Sequence, residues 1–200
     1  MIASLQRVRI EPMQILSLNT AAAHALDIDG RSVLSAIRKR ARDGAVPLRA
    51  MGLEGDEQAD LSVHGGLSKA VYAYPSEHYA FWQTVRAQAR ASGFDAPLPF
   101  GALGENLTLS GLLEQQVWIG DVLKFPDAEL VVSEPRYPCF KFNAVMGFKH
   151  AAKLMTQSGW CGFYLAVKTP GSLQAGQAFE LLPGPREVGV QEIFKAKARN

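Results

Sequence analysis

Residues 122–132 read VLKFPDAELVV, two β-rich arms either side of Pro126-Asp127. Proline presets the backbone of a tight turn and aspartate tolerates it, so the stretch predicts an antiparallel hairpin. Outward from it, short apolar segments of the same kind recur between Gly, Pro and Asp punctuation. They are MQILSL (13–18), AVPLRAMGL (45–53), KAVYAY (69–74), ENLTLSGL (105–112), QQVWIGDVLKF (115–125), AELVVSE (128–134), CGFYLAVKT (161–169) and QAFELL (177–182). Regularly spaced short strands of this kind predict a barrel or a sandwich. Parallel βαβ alternation is not visible.

Two stretches predict helices at the periphery. The first is SEHYAFWQTVRAQARAS (76–92), with Ser76 as N-cap after Pro75 and an end near Gly93. Its Tyr79, Phe81, Trp82 and Val85 fall near one face, the pattern of an amphipathic helix packed on a core. The second runs from about Ala144 to Gln157, before Gly159. Residues 20–30 show no clear period, and no internal repeat, low-complexity tract or interdomain linker is found.

The chain has 200 residues, 48% of them hydrophobic, enough for one domain with a real core. Lys plus Arg number 21 against 19 for Asp plus Glu, so the net charge of +2 gives no general attraction to nucleic acid or to an anionic membrane. Any anion site must be local. No apolar run approaches the roughly 20 residues that span a bilayer, and the N-terminal stretch has no zones of a signal peptide. A cytoplasmic location is expected, with Cys139 and Cys161 kept as thiols.

The chemistry centres on EPRYPCFKF (134–142). Pro135 and Pro138 stiffen the backbone around Cys139, and Arg136 and Lys141 favour a thiolate if they converge on it. The alternative is a small core residue. Burial is the expectation for Cys161 in CGFYLAV. In GLEGDEQADLSVHGGLSKAVYAYP (52–75), Gly65, Gly66 and Lys69 suit either an anion cradle or a turn before a strand. His64 suits a ligand, a proton donor or a polar loop residue. The four histidines do not combine with the cysteines at zinc-site spacings. A Cys–His hydrolase built on Cys139 and His64 has no local signature.

Taken in order, HGGLSKAVYAYP, EHYAFW, GENLTLSGL, IGDVLKF and SEPRYPCFKFN resemble the MOSC domain, the C-terminal domain of molybdenum cofactor sulfurases. The likeness is closest to stand-alone bacterial MOSC proteins that reduce N-hydroxylated purines. It implies a single mainly β domain over 1–200, a β-barrel with peripheral α-helices whose motif-bearing core spans about 35–193. Such relatives often continue with a small C-terminal helical segment, and here the one departure expected from the pattern is that none follows QEIFKAKARN. The resemblance also implies a molybdenum cofactor, Mo-molybdopterin, with Cys139 as the metal's protein ligand. A thiolate is a suitably soft ligand for such a metal.

By the same resemblance Lys39, Lys69, Arg136 and Lys141 become cations for the pterin phosphate, with Gly65 and Gly66 allowing close approach. Asn106 of GENL offers an amide that can donate and accept toward a pterin edge, and His64 becomes a proton source or a residue behind the cofactor. The implied reaction reduces a small N-hydroxylated substrate such as 6-N-hydroxylaminopurine to its amine. Electrons come from a separate flavoprotein or iron–sulfur protein, because the chain has no flavin, haem or cluster motif. The alternatives are a sulfur carrier using a Cys139 persulfide, and a protein that binds the cofactor for delivery.

Overall fold

The computed structural model describes residues 12–59 and 65–198. Its strands in chain order are β1 (Gln14–Thr20), β2 (His24–Ile28), β3 (Arg31–Ser35), β4 (Arg40–Ala41), β5 (Val46–Arg49), β6 (Gly52–Leu53), β7 (Val71–Pro75), β8 (Leu107–Ser110), β9 (Val122–Lys124), β10 (Glu129–Pro135), β11 (Phe163–Thr169), β12 (Gly171–Leu173) and β13 (Glu180–Leu182). Four helices accompany them: α1 (Tyr79–Gln88), α2 (Phe140–Met146), α3 (Ala151–Ser158) and α4 (Val190–Ala198). The fold is mainly β with a few helices.

The Pro126-Asp127 turn forms as the sequence predicts. Phe125 N donates to Ala128 O at 2.9 Å, and β9 pairs with β10 from Lys124↔Glu129 to Val122↔Val131. This hairpin seeds an eight-stranded sheet in the order β13-β9-β10-β11-β7-β8-β1-β4. Ile15, Leu107, Leu109, Leu123, Leu130, Phe163 and Leu165 are fully buried along it and form the core. Burying such side chains is the main favourable term in folding.

The expected closed barrel is not found. The end strands β4 and β13 do not pair with each other. Instead the sheet curls until Ile15 N donates to Gln177 O (2.9 Å) and Phe179 N donates to Met13 O (3.1 Å), with one bridge between Gln14 and Ala178. The chain turns sharply through Gly176, whose φ is 84°, just before this contact, which leaves too short a straight run for a ladder. The two-residue β4 covers only Asn19 and Thr20 of β1.

Other expectations need correction. One parallel pair does exist: β7 runs parallel to β8, the connection passing through α1. Residues 24–35 form the hairpin β2–β3 around Asp29-Gly30, both at positive φ (53° and 77°). That is the geometry for which Asp-Gly is the strongest short signal. In QQVWIGDVLKF only residues 122–124 are strand; a 3-10 turn occupies Glu114–Gln116.

Ser76 does not cap a helix. It opens a 3-10 turn, and α1 begins only after His78. The helix ends at Gln88 rather than near Gly93, where Arg90 adopts a positive φ of 60°. The single helix expected over 144–157 is two, broken where Gly147 takes the left-handed conformation (φ 79°) that closes α2. Residues 190–198 form α4, absent from the expectation, which packs its fully buried Val190 and Phe194 inward. No helix among the described residues is long and apolar enough to cross a membrane.

Candidate active site

Cys139 is set by the stiff end of β10. Pro135 closes that strand against Phe163 of β11, and Arg136-Tyr137-Pro138 carries the chain to Cys139, the extended residue immediately before α2 (φ −116°, ψ 176°). The thiol is partly buried and lines an open cleft of ≈ 670 Å³. Cys161 is fully buried, and desolvation first, then Glu114, pushes its thiol well above the usual range. Neither cysteine forms a disulfide, and the two differ in burial.

Six of the nine residues singled out in the sequence line this cleft: Lys39, Lys69, Asn106, Arg136, Cys139 and Lys141. Gly65 and Gly66 are not in its wall. Gly66 sits at φ 87° before the 3-10 turn Leu67–Lys69, and its N donates to Gln58 Oε1 at 2.7 Å, so it holds Gln58, which is a wall residue. His64 lies outside the described residues.

Arg136 is the most constrained cation. It is 5% exposed, its guanidinium lies 5.2 Å from the Tyr72 ring centroid and 4.8 Å from that of Phe142, and Nη1 meets Met155 Sδ at 3.3 Å. Desolvation opposes its charge, but Tyr72, Tyr164 and Cys139 outweigh that effect and raise its pKa. Among the described residues it forms no ion pair with a carboxylate. A buried guanidinium with no carboxylate partner among the described residues can take an anion from the cleft. Lys69 Nζ stands 3.7 Å from Glu134 Oε2 and 5.9 Å from the Tyr164 ring centroid, and Lys141 Nζ donates to Leu34 O at 3.1 Å.

Lys39 is different in kind. Its ammonium is paired with Asp56, and both side chains are 8% exposed. Burial lowers the Lys39 pKa even though Asp56 pulls the other way. Asp56 Oδ1 also accepts from Ala21 N (2.9 Å) and Oδ2 from Asn106 Nδ2 (2.8 Å). Asn106 in turn accepts at Oδ1 from Tyr72 N (3.0 Å) and donates to Asn19 O (3.2 Å). Its amide therefore has protein partners on every side and acts as a joint between β1, β7 and β8. The preceding Glu105 of GENL is buried too, accepting from Gly101 N (2.7 Å), Leu103 N (3.1 Å), Thr108 Oγ1 (2.7 Å) and Tyr79 Oη.

Among the wall residues that the sequence did not single out are Asp56, Tyr72 and Tyr164. Asp56 stood in the charged run GLEGDEQAD with nothing local to mark it. Tyr72 and Tyr164 face each other across paired strands, rings 5.4 Å apart, a contact no short motif encodes. Among the described residues no group of three or more His, Cys, Asp or Glu side chains forms a metal cage. The cleft thus offers one thiol and four cations against the two carboxylates Asp56 and Glu57.

A mainly β protein with a single thiol set in a cationic cleft is the class these features define. The chain belongs to the MOSC domain family, whose model matches residues 60–180. It is 41% identical over 182 residues to the uncharacterized protein YflK of Bacillus subtilis, covering 90% of this chain and 79% of that protein. It is 36% identical over 175 residues to a protein of Gibberella moniliformis named a reductase, covering 84% of this chain and 30% of that much longer one. The crystal structure of YiiM from Geobacillus stearothermophilus superposes with a TM-score of 0.74 at 30% identity, covering 94% of this chain and 84% of that one.

Proposed function

We propose that this protein is a molybdenum-cofactor-dependent reductase of N-hydroxylated compounds, with the sheet curled in the barrel-like manner of its family. The observation that carries the reading is Cys139, partly accessible, in the same cleft as a buried Arg136 that has no carboxylate partner among the described residues. The donor set fits the cofactor. One thiolate suits a soft metal otherwise held by its own pterin sulfurs, and Arg136, Lys69 and Lys141 suit a phosphate. When bound, the cofactor would supply two-electron chemistry at the metal: R–NHOH + 2e⁻ + 2H⁺ → R–NH₂ + H₂O.

The chain's own residues bind, orient and supply protons. Arg136 packs on the rings of Tyr72 and Phe142, so its position is set before any anion arrives. Lys39 Nζ stands at the cleft wall beside Asp56, where burial eases the loss of its proton. The protein named a reductase in Gibberella moniliformis supports an enzymatic reading for the domain. A cytoplasmic site, where both thiols stay reduced, and a separate electron donor complete the proposal.

The test is metal and pterin content after purification from a host that makes the cofactor. The wild type should carry both near one per chain, and Cys139→Ala should lose most of the molybdenum. A cofactor-free wild type sinks the reading. A sulfane sulfur found on Cys139 by mass spectrometry, without pterin, makes the protein a sulfur carrier instead. Stoichiometric cofactor with no turnover of any N-hydroxylated substrate makes it a delivery protein.

A further inference from the structure

Residues 38–42 read RKRAR, with a bend at Arg38 and a short strand at Arg40–Ala41, and its basic side chains divide between two cavities. Lys39 enters the cleft. Arg38, Arg40 and Arg42 line a separate open groove of ≈ 1190 Å³ on the other side, together with the end of β1 and His24 at the start of β2. All three arginines are exposed, and among the described residues none of them forms an ion pair and no Asp or Glu lies in the groove wall. Asp43 follows them, itself exposed. Arg42 Nη1 reaches Thr20 Oγ1 at 3.5 Å, a weak tether to β1.

Groove and cleft share one thin wall. Gly55 faces the groove and Asp56 the cleft, and Ala21, in the groove wall, donates its N–H to Asp56. We propose that this arginine groove docks an acidic electron-donor protein and brings its redox centre against the wall of the Cys139 cleft, an inference that rests on the reductase reading. Three exposed arginines along one groove make a row suited to several carboxylates on a second protein. With 21 basic against 19 acidic residues overall, this concentrated row differs from the broad positive field of a nucleic-acid binder. Small, charge-steered contacts are usual for transient redox partners. The donor is oxidised by two electrons per turnover, from two reduced ferredoxins or one flavin hydroquinone, and the substrate N–O bond is cleaved with uptake of two protons, releasing water.

The experiment uses cofactor-loaded protein, R38E/R40E, and three reductants: an acidic [2Fe–2S] ferredoxin and a flavodoxin, each kept reduced by an NADPH-dependent reductase, and methyl viologen reduced by dithionite. Expected is a fall of about tenfold or more in turnover of 6-N-hydroxylaminopurine with a protein donor, with a wild-type rate that drops as salt rises and a variant rate that does not. Viologen-driven turnover should stay at the wild-type level. Equal rates for variant and wild type with both protein donors overturn the proposal. So does an equal loss with viologen, which would place the damage in the cleft. Binding of a single-stranded RNA oligonucleotide or of tripolyphosphate, abolished in R38E/R40E while protein-driven turnover is kept, overturns it as well. Calorimetric titration with ferredoxin separates the two readings. If the wild type holds no cofactor, yet binds ferredoxin and R38E/R40E does not, the groove stands and the reductase reading falls.

Discussion

Asn106 carries more of the architecture than its place in a short GENL motif suggests. Its side chain meets Asn19, Asp56 and Tyr72 at 3.2, 2.8 and 3.0 Å, tying three segments far apart in sequence. Replacing it by Asp keeps the shape but removes both N–H donors and sets a second carboxylate against Asp56. Each buried group left unsatisfied costs about 1–3 kcal/mol, so Asn106→Asp should lower stability by about 3 kcal/mol in a urea titration. If stability holds and pterin content falls, the amide faces the cofactor rather than the frame. The Cys139 loop was legible because its prolines and cations are sequence neighbours, Lys69 and Asn106 entered through motifs, and Lys39 entered through the family resemblance alone. Asp56, by contrast, owes its role to Lys39 and Asn106, 17 and 50 positions away, and no local pattern encodes that.

Turns decided how well the elements could be read. The hairpin β9–β10 followed from Pro-Asp, and the same logic at Asp29-Gly30 would have found β2–β3, had the polar flanks not masked the alternation. Gly147 split a helix that composition alone joins. The parallel β7–β8 pair was invisible because a 31-residue connection, residues 76–106, hides its strand–helix–strand order. Gly162, at the entry to β11, marks a close approach to β7. It has φ 63°, and a Cβ there would collide with Ala73 O and lie 2.8 Å from Tyr72 and 2.9 Å from Tyr74. Strain and overlap together predict a loss of about 3 kcal/mol or more for Gly162→Ala, read as a lowered midpoint in thermal melts. A wild-type midpoint would mean that β7 and β11 can part freely at this point.

At the scale of the molecule, the chain's five tyrosines respond to pH as a group. Burial raises the pKa of Tyr72, Tyr74, Tyr79, Tyr137 and Tyr164 alike, and for Tyr79 the nearby Glu105 adds to it. A raised folded pKa means that the folded state holds its phenolic protons after the unfolded state has released them near pH 10. The stability they contribute is complete below pH 10 and lost as pH climbs above it. Phenolate absorbance should therefore lag the ordinary titration and then rise together with the loss of β-sheet circular dichroism. Five phenols ionising near pH 10 in an intact fold would contradict the packing. The contact between Ile15 and Gln177 adds a matter of timing. Ribosomes add roughly 5–20 residues per second, so β1 waits about 8–30 s after its synthesis for residues 177–179 to exist. Through that interval the nascent protein carries a long-lived open seam, an opportunity for chaperones and a hazard in crowded translation.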